Sequence, residues 1–218
     1  RIADILKKEA GWPPSEAKRV WAVDEHKNII VNMSHGVQYL NEVRDSIISG
    51  FRWTCEAGPL TQEPIRGVRI NLVDAILHED PVHRGPAQIM PATKQAIFAC
   101  FLSAKPVLLE PIYKIQVRVP VEYMGEVTSL IAQKRGRVID VEQKEAAITI
   151  TGYIPVAETI GLASIMRSAT SGHAFWQCTF DHWGKVPESL LNDLIVKIRK
   201  RKGLPPEPPK AEDFIVKE

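Results

Sequence analysis

The sequence predicts an α+β protein of two domains. Three observations carry this. Apolar positions switch between helical spacing and strict alternation several times along the chain. The segment Pro-Val-Leu-Leu-Glu-Pro at 106–111 reads as a linker. Beyond it, six elements follow as strand–helix–strand, strand–helix–strand. A length of 218 residues suits one or two domains. With 44% hydrophobic and 25% charged residues, the composition is that of an ordinary globular chain and excludes a disordered or collagen-like one. No apolar run reaches the ~18 residues of a membrane helix. The uncharged stretch Ala146–Ala157 is broken by Thr149, Thr151, Gly152 and Pro155. A membrane protein is not expected.

In the first half, Ile2, Ile5 and Leu6 share one face of a helix that Gly11 stops. Ser15 caps a second helix with Val20 and Trp21 inward, and Ile29–Met33 is a short β-rich run. Val37, Leu40, Val43, Ile47, Ile48 and Phe51 stripe the clearest helix, which Gly58–Pro59 ends. Val68, Ile70 and Leu72 alternate with polar residues in a strand expected to reach Leu77. A polar loop follows over His78–Gln88. Pro91 then opens a helix with Ala96, Ile97, Cys100 and Phe101 inward.

In the second half, Tyr113, Ile115, Val117 and Val119 alternate in a clean strand, and Val127, Leu130 and Ile131 share a helix face. Gly136 turns the chain into a strand over Arg137–Val141, and Ile148 and Ile150 mark a third strand. Leu162, Ile165, Met166 and Ala169 stripe a second helix. Ala174, Trp176, Cys178 and Phe180 alternate in a fourth strand. This order is the ferredoxin-like βαββαβ arrangement, within about 70 residues. A last helix starts near Pro187 with Leu190, Leu191, Leu194, Ile195 and Ile198 inward, and Gly203 and Pro205–Pro206 stop it.

The charge balance, 28 basic against 26 acidic residues, does not by itself signal nucleic acid. Cys55, Cys100 and Cys178 form no CxxC pair, which excludes a zinc ribbon and fits reduced thiols in a cytosolic protein. The chain has no GxSxG, GxxxxGK[ST] or GxGxxG motif, so an elbow hydrolase and a P-loop are excluded within it. The loop 77–88 is the densest polar cluster. His78, Glu79, Asp80 and His83 have the residue types of a metal-dependent hydrolase, but Pro81 argues against one shared helical face, and an exposed polar loop is the simpler reading. Asp181 and His182 suit a local hydrogen bond. Lys197, Arg199, Lys200, Arg201 and Lys202 carry five positive charges without an acid, more than a helix end needs, so RNA phosphate contact competes with dipole capping. The turn Lys134-Arg135-Gly136-Arg137 is a second possible phosphate-facing patch, and a generic RNA-binding protein would use both. Tyr113 and Trp176 fit packing better than base stacking.

Several blocks in order resemble the elongation factor 2 family of ribosomal translocases. They are Gly-Val-Gln-Tyr-Leu-Asn-Glu-Val (36–43), Arg-Gly-Val-Arg (66–69), Leu-His-Glu-Asp-Pro-Val-His-Arg-Gly-Pro-Ala-Gln (77–88) and Glu-Pro-Ile-Tyr (110–113). Lys-Arg-Gly (134–136), Ser-Gly-His-Ala-Phe-Trp-Gln-Cys (171–178), Phe-Asp-His-Trp (180–183) and Arg-Lys-Arg-Lys-Gly (199–203) continue the series. The resemblance, closest to archaeal members, implies a C-terminal fragment, in keeping with a start at Arg1 rather than Met. It implies an incomplete domain IV of ribosomal-protein-S5-domain-2-like fold at 1–109 and a ferredoxin-like domain V at 110–183. A helix and tail at 184–218 would return to domain IV.

The resemblance also implies the function. His83 maps to the histidine converted to diphthamide, the residue that diphtheria toxin and its relatives ADP-ribosylate. The loop of His78, Asp80, His83, Arg84, Gly85 and Gln88 would meet tRNA and mRNA in the decoding centre, with His83 and Arg84 facing phosphates and Gly85 letting the backbone come close. Lys134, Arg135, Arg137, Arg199, Lys200 and Arg201 would contact ribosomal RNA. The partners implied are the ribosome, tRNA, mRNA, rRNA, the diphthamide-forming enzymes and ADP-ribosylating toxins. A cytoplasmic monomer is expected. This part would hold no catalytic residue, no metal and no cofactor. GTP and magnesium would bind in the domain that carries the P-loop.

Overall fold

The computed structural model describes residues 2–215; position 1 and the tail's last three positions, 216–218, lie outside them. The described chain divides into two compact units. One takes in residues up to Pro106 together with those from Asn192 on, and the other is Val107–Leu191.

The first unit begins with α1 (Ile2–Ala10) and a single turn, α2 (Pro14–Ala17). The helix capped near Ser15 stops after four residues. Val20 and Trp21 instead open strand β1 (Val20–Val23), because Arg19 and Val20 line up against β2 (Ile29–Asn32): Asn32 N donates to Arg19 O at 2.9 Å, and Val20 pairs with Val31. Strands β1 and β2 are antiparallel. β3 (Arg69–Leu72) then pairs parallel to β2, Ile29 with Arg69 through Asn32 with Leu72. A parallel return needs a crossover, and the striped helix α3 (Leu40–Glu56) lies within it. Its Leu40, Val43, Ile47 and Phe51 are buried, packed with Ala22, Ile30, Ile65 and Ile97. Asn28 pins the crossover's end. Wholly buried, it donates to Ile65 O at 2.7 Å and accepts from Val68 N at 3.0 Å.

The strand expected to reach Leu77 ends at Leu72. Its partner β2 ends at Asn32, and Met33 N to Leu72 O is the last rung, so Val73–Leu77 has no ladder to join. The next helix, α4 (Pro86–Ser103), starts five residues before Pro91. Gly85 in extended conformation precedes it and Pro86 takes the first turn, where a missing N–H costs nothing. The buried set is Ile97, Phe98 and Ala99, whereas Ala96 and Cys100 face solvent. Phe98 meets Phe214 edge-on at 5.3 Å, which gives that face a second apolar partner.

The second unit is one four-stranded antiparallel sheet in the order β5–β6–β4–β7. Its strands are β4 (Leu109–Pro120), β5 (Arg137–Lys144), β6 (Ala147–Pro155) and β7 (Phe175–Lys185). Helices α5 (Met124–Gln133) and α6 (Leu162–Ala169) follow β4 and β6, which completes the βαββαβ order. Ile115, Val117 and Val119 of β4 and Ile148, Ile150 and Ile154 of β6 form the core with Val127, Ile131 and Met166, and Tyr113 and Trp176 pack at its margin. The stretch at 106–111 is not all linker. Leu109–Ile112 pairs with 182–185 across a register shift, so both central and edge strands run longer than alternation alone marks. The terminal helix α7 is Glu188–Arg201, with Ile195 and Arg199 buried and Leu190 exposed.

Candidate functional site: the His78–Gly85 loop

The loop between β3 and α4 is built from local turns. His78 Nδ1 accepts from Asp80 N at 3.0 Å, and Asp80 Oδ1 accepts from Val82 N at 3.0 Å, starting a 3-10 turn over Pro81–Arg84. Pro81 sits at the first position of that turn, where its fixed φ is an advantage. The His78 and His83 rings meet edge-on at 4.6 Å. Both are exposed, as are Glu79, Asp80 and Val82, and Ile76 is 98% exposed.

Arg84 does the opposite. The residue expected to reach phosphate is 7% exposed and is spent inside the protein. Nη1 donates to His78 O at 2.7 Å and to Glu79 O at 2.5 Å. Nη2 pairs with Glu42 in the first turn of α3 at 2.5 Å, and the guanidinium lies 4.0 Å from the Tyr39 ring centroid. Tyr39 holds a left-handed conformation, φ +60°, at the start of α3. Arg84 Nε is buried with no hydrogen-bond partner among the described residues. Arginine alone offers this fork of donors with a flat face. Gly85 is extended at φ −71°, so its freedom is not used for a left-handed turn; a Cβ there would come 3.1 Å from the flexible end of exposed Gln88.

Sequence reasoning missed Glu42 and Tyr39. Tyr39 is 45 positions from Arg84, and neither residue carries a local signal linking it to the loop. Among the described residues no group of three or more His, Cys, Asp or Glu is arranged to hold a metal, so the side chains of 78–83 are not gathered as a metal-dependent hydrolase would need.

The two basic patches separate into free and engaged charges. Arg135 bridges Glu110 at 2.7 Å and Glu158 at 2.8 Å, and the Glu110 carboxylate, above all, raises its already high pKa. Arg199 is buried, donating to Pro205 O at 2.6 Å and Leu60 O at 2.7 Å. Arg199 is thus turned to protein carbonyls, and Arg135, its side chain 28% exposed, is paired with two carboxylates. Lys202 pairs with Glu63 at 2.6 Å. Lys200, Arg201 and Arg137 are exposed and Lys134 half-buried; Arg137 lies 5.3 Å from the Tyr153 ring. Asp181 and His182 form the expected local pair, 2.6 Å apart. No helix among the described residues is long and apolar enough to cross a membrane.

Comparison with known proteins agrees with this division. Residues 1–105 match the model for elongation factor G, domain IV, and residues 107–194 match elongation factor G C-terminus. Elongation factor 2 of Desulfurococcus amylolyticus is 53% identical over 98% of this chain, and that of Staphylothermus marinus is 54% identical over the same share. Elongation factor 2 of Aeropyrum pernix is 52% identical, again over 98%. The chain spans 29% of the length of each of these relatives. With two consecutive domain models and archaeal relatives covering nearly every residue, the chain belongs to the elongation factor G and 2 family, over domain IV and the C-terminal domain.

Proposed function

We propose that this chain is the ribosome-facing C-terminal part of an archaeal-type elongation factor 2, working in GTP-driven translocation. The loop around His83 is its tip in the decoding centre, against tRNA and mRNA, and His83 is the diphthamide acceptor. GTP and magnesium are bound by the part of the relatives that this chain does not span, and the residues here position rather than catalyse. The diphthamide-forming enzymes and ADP-ribosylating toxins act on His83.

The observation that supports this most is the contrast between adjacent residues. His83 is exposed on a short turn, while Arg84 is buried and anchors that turn. Such a loop offers the His83 imidazole, edge-on to that of His78, to a partner from a fixed frame. The loop's exposed Glu79 and Asp80 are acidic and its one arginine is internal, so a fixed cation on His83 would supply the charge that phosphates attract. Lys134, Arg137, Lys200 and Arg201 remain the candidates for ribosomal RNA. A generic RNA-binding role is less well supported, because Arg199 of the five-charge run is buried on protein carbonyls and Lys202 is paired with Glu63.

The test is single-turnover translocation by a full-length elongation factor 2 carrying this sequence, native and His83→Ala, with GTP hydrolysis followed in parallel. Slower translocation or increased slippage with hydrolysis retained supports the reading. Unchanged translocation contradicts it.

A further inference from the structure

The structure assigns Arg84 the role of positioning residue for His83, acting through a clamp that reaches from the loop to α3 by way of Glu42 and Tyr39. This inference rests on the proposed function of the loop, but it gives Arg84 a part opposite to that of a phosphate ligand.

The loop is otherwise weakly tied. After Leu72 it leaves the sheet; Val73 and Ile76 are 69% and 98% exposed, and Leu77, half-buried against the core, is the apolar tie of this stretch. Its internal bonds, His78 to Asp80 and Asp80 to Val82, join neighbours only and would persist if the whole turn swung as a body. Arg84 supplies the polar long-range restraint, on the far side of the turn from Leu77. One side chain ties the backbone on the far side of the turn, at His78 and Glu79, to a carboxylate on the core-packed helix α3, with its flat face against Tyr39. The four contacts surround the guanidinium, so the carbonyls of 78 and 79 and the first turn of α3 share one fixed point. Because His83 precedes Arg84 directly, the direction of the His83 side chain is set by where Arg84 is held.

Lysine cannot reproduce this. Its three donors radiate from a single atom, without the two separated nitrogens that reach the carbonyls and Glu42, and it has no plane to lay on Tyr39. Arg84→Lys is therefore informative: charge and approximate length stay, and the clamp goes.

The experiment uses the full-length factor in four forms: native, Arg84→Lys, His83→Ala and the double variant. Amide exchange over 78–85 and the His78 and His83 ring proton shifts read loop order, and translocation reads function. Arg84→Lys is expected to raise exchange in 78–85, to lose the shift that the two rings impose on each other, and to slow translocation roughly tenfold, within the range of coupling between contacting residues. Because Arg84 acts through His83, adding Arg84→Lys to His83→Ala should slow translocation no further. A fully additive loss would overturn the proposal, since it would mean a separate role for Arg84. So would unchanged loop exchange and ring shifts in Arg84→Lys, or normal translocation by Arg84→Lys where His83→Ala is impaired. Normal translocation by His83→Ala itself would instead remove the functional reading of the loop, a different failure.

Discussion

Arg84 Nη2 and Glu42 Oε2 stand 2.5 Å apart, joining the turn before α4 to the first turn of α3. The pair is asymmetric. The Arg84 side chain is 5% exposed and that of Glu42 57%. A half-exposed carboxylate is well screened, but removing it strands a buried cation. Glu42→Gln keeps the shape and deletes the charge, and two carbonyls still serve the guanidinium. The expected loss is about 1–2 kcal/mol, discounted for the exposure of Glu42. Urea unfolding of native and variant protein measures it, and a loss within 0.3 kcal/mol would mean that the pair adds no stability.

Arg199 is the second internal guanidinium. It serves carbonyls at Pro59, Leu60 and Pro205, groups that would otherwise be under-satisfied. Arg199→Ala should cost about 2–3 kcal/mol, whereas Lys200→Ala and Arg201→Ala, on exposed side chains, should stay within about 0.5 kcal/mol of the native protein. The same alanine series in a ribosome-binding titration against salt should show the reverse: Lys200 and Arg201 flatten the salt slope and Arg199 does not.

Two glycines of the second unit make a matched pair. A Cβ at Gly136 would come 2.7 Å from both Ile131 Cγ2 and Tyr153 O, so Gly136→Ala must move backbone. A loss of about 1–3 kcal/mol is expected. Gly125, in the first turn of α5, has nothing within 4 Å of such a Cβ. Gly125→Ala should add up to about 1 kcal/mol through helix propensity. Thermal melts of the two variants should move in opposite directions.

Cys55 gives the chain a dependence on alkaline pH. It is buried on α3, and burial, followed by the nearby Asp24 carboxylate, pushes its thiol up to about 12 from 9.0. Between these values the unfolded chain releases the proton and the folded one keeps it. Stability is thus fully present below pH 9 and falls as pH rises, at about 1.4 kcal/mol per pH unit for this group. Cys55→Val should flatten the decline relative to the native chain between pH 9 and 10.5. Parallel curves would show that Cys55 does not ionise on unfolding there.

How far the fold could be read depended on whether the signal was local. The stripe from Leu40 to Phe51 and the alternation from Tyr113 to Val119 each declare their period within a dozen residues, and both stand as α3 and β4. Boundaries set by a distant partner were harder. β3 ends where β2 ends, at Asn32, so Val73–Leu77 kept a strand-like pattern with nothing to pair with. Pro91 looked like a helix start, but Gly85–Pro86 begins the helix earlier and Pro91 is carried inside it. The site divided in the same way. An exposed His83 was legible from the polar loop. The burial of Arg84 was not, because it follows from a carboxylate 42 positions earlier and from an aromatic ring on the same helix end. Arg135 and Arg199 looked basic in sequence for the same reason: the groups that engage them, Glu158 and the carbonyls at Pro59 and Leu60, lie far along the chain.

The proposed modification of His83, on an exposed loop held by Arg84, can be read directly. The most direct measurement is peptide mass mapping of native protein, before and after incubation with diphtheria toxin and labelled NAD. Trypsin cuts after Arg69 and Arg84, so Ile70–Arg84 carries both His78 and His83, and fragmentation separates them. Added mass is expected on His83 in native protein, with the toxin's label at that same residue and none at His78. An unlabelled Ile70–Arg84 peptide of unmodified mass would contradict it.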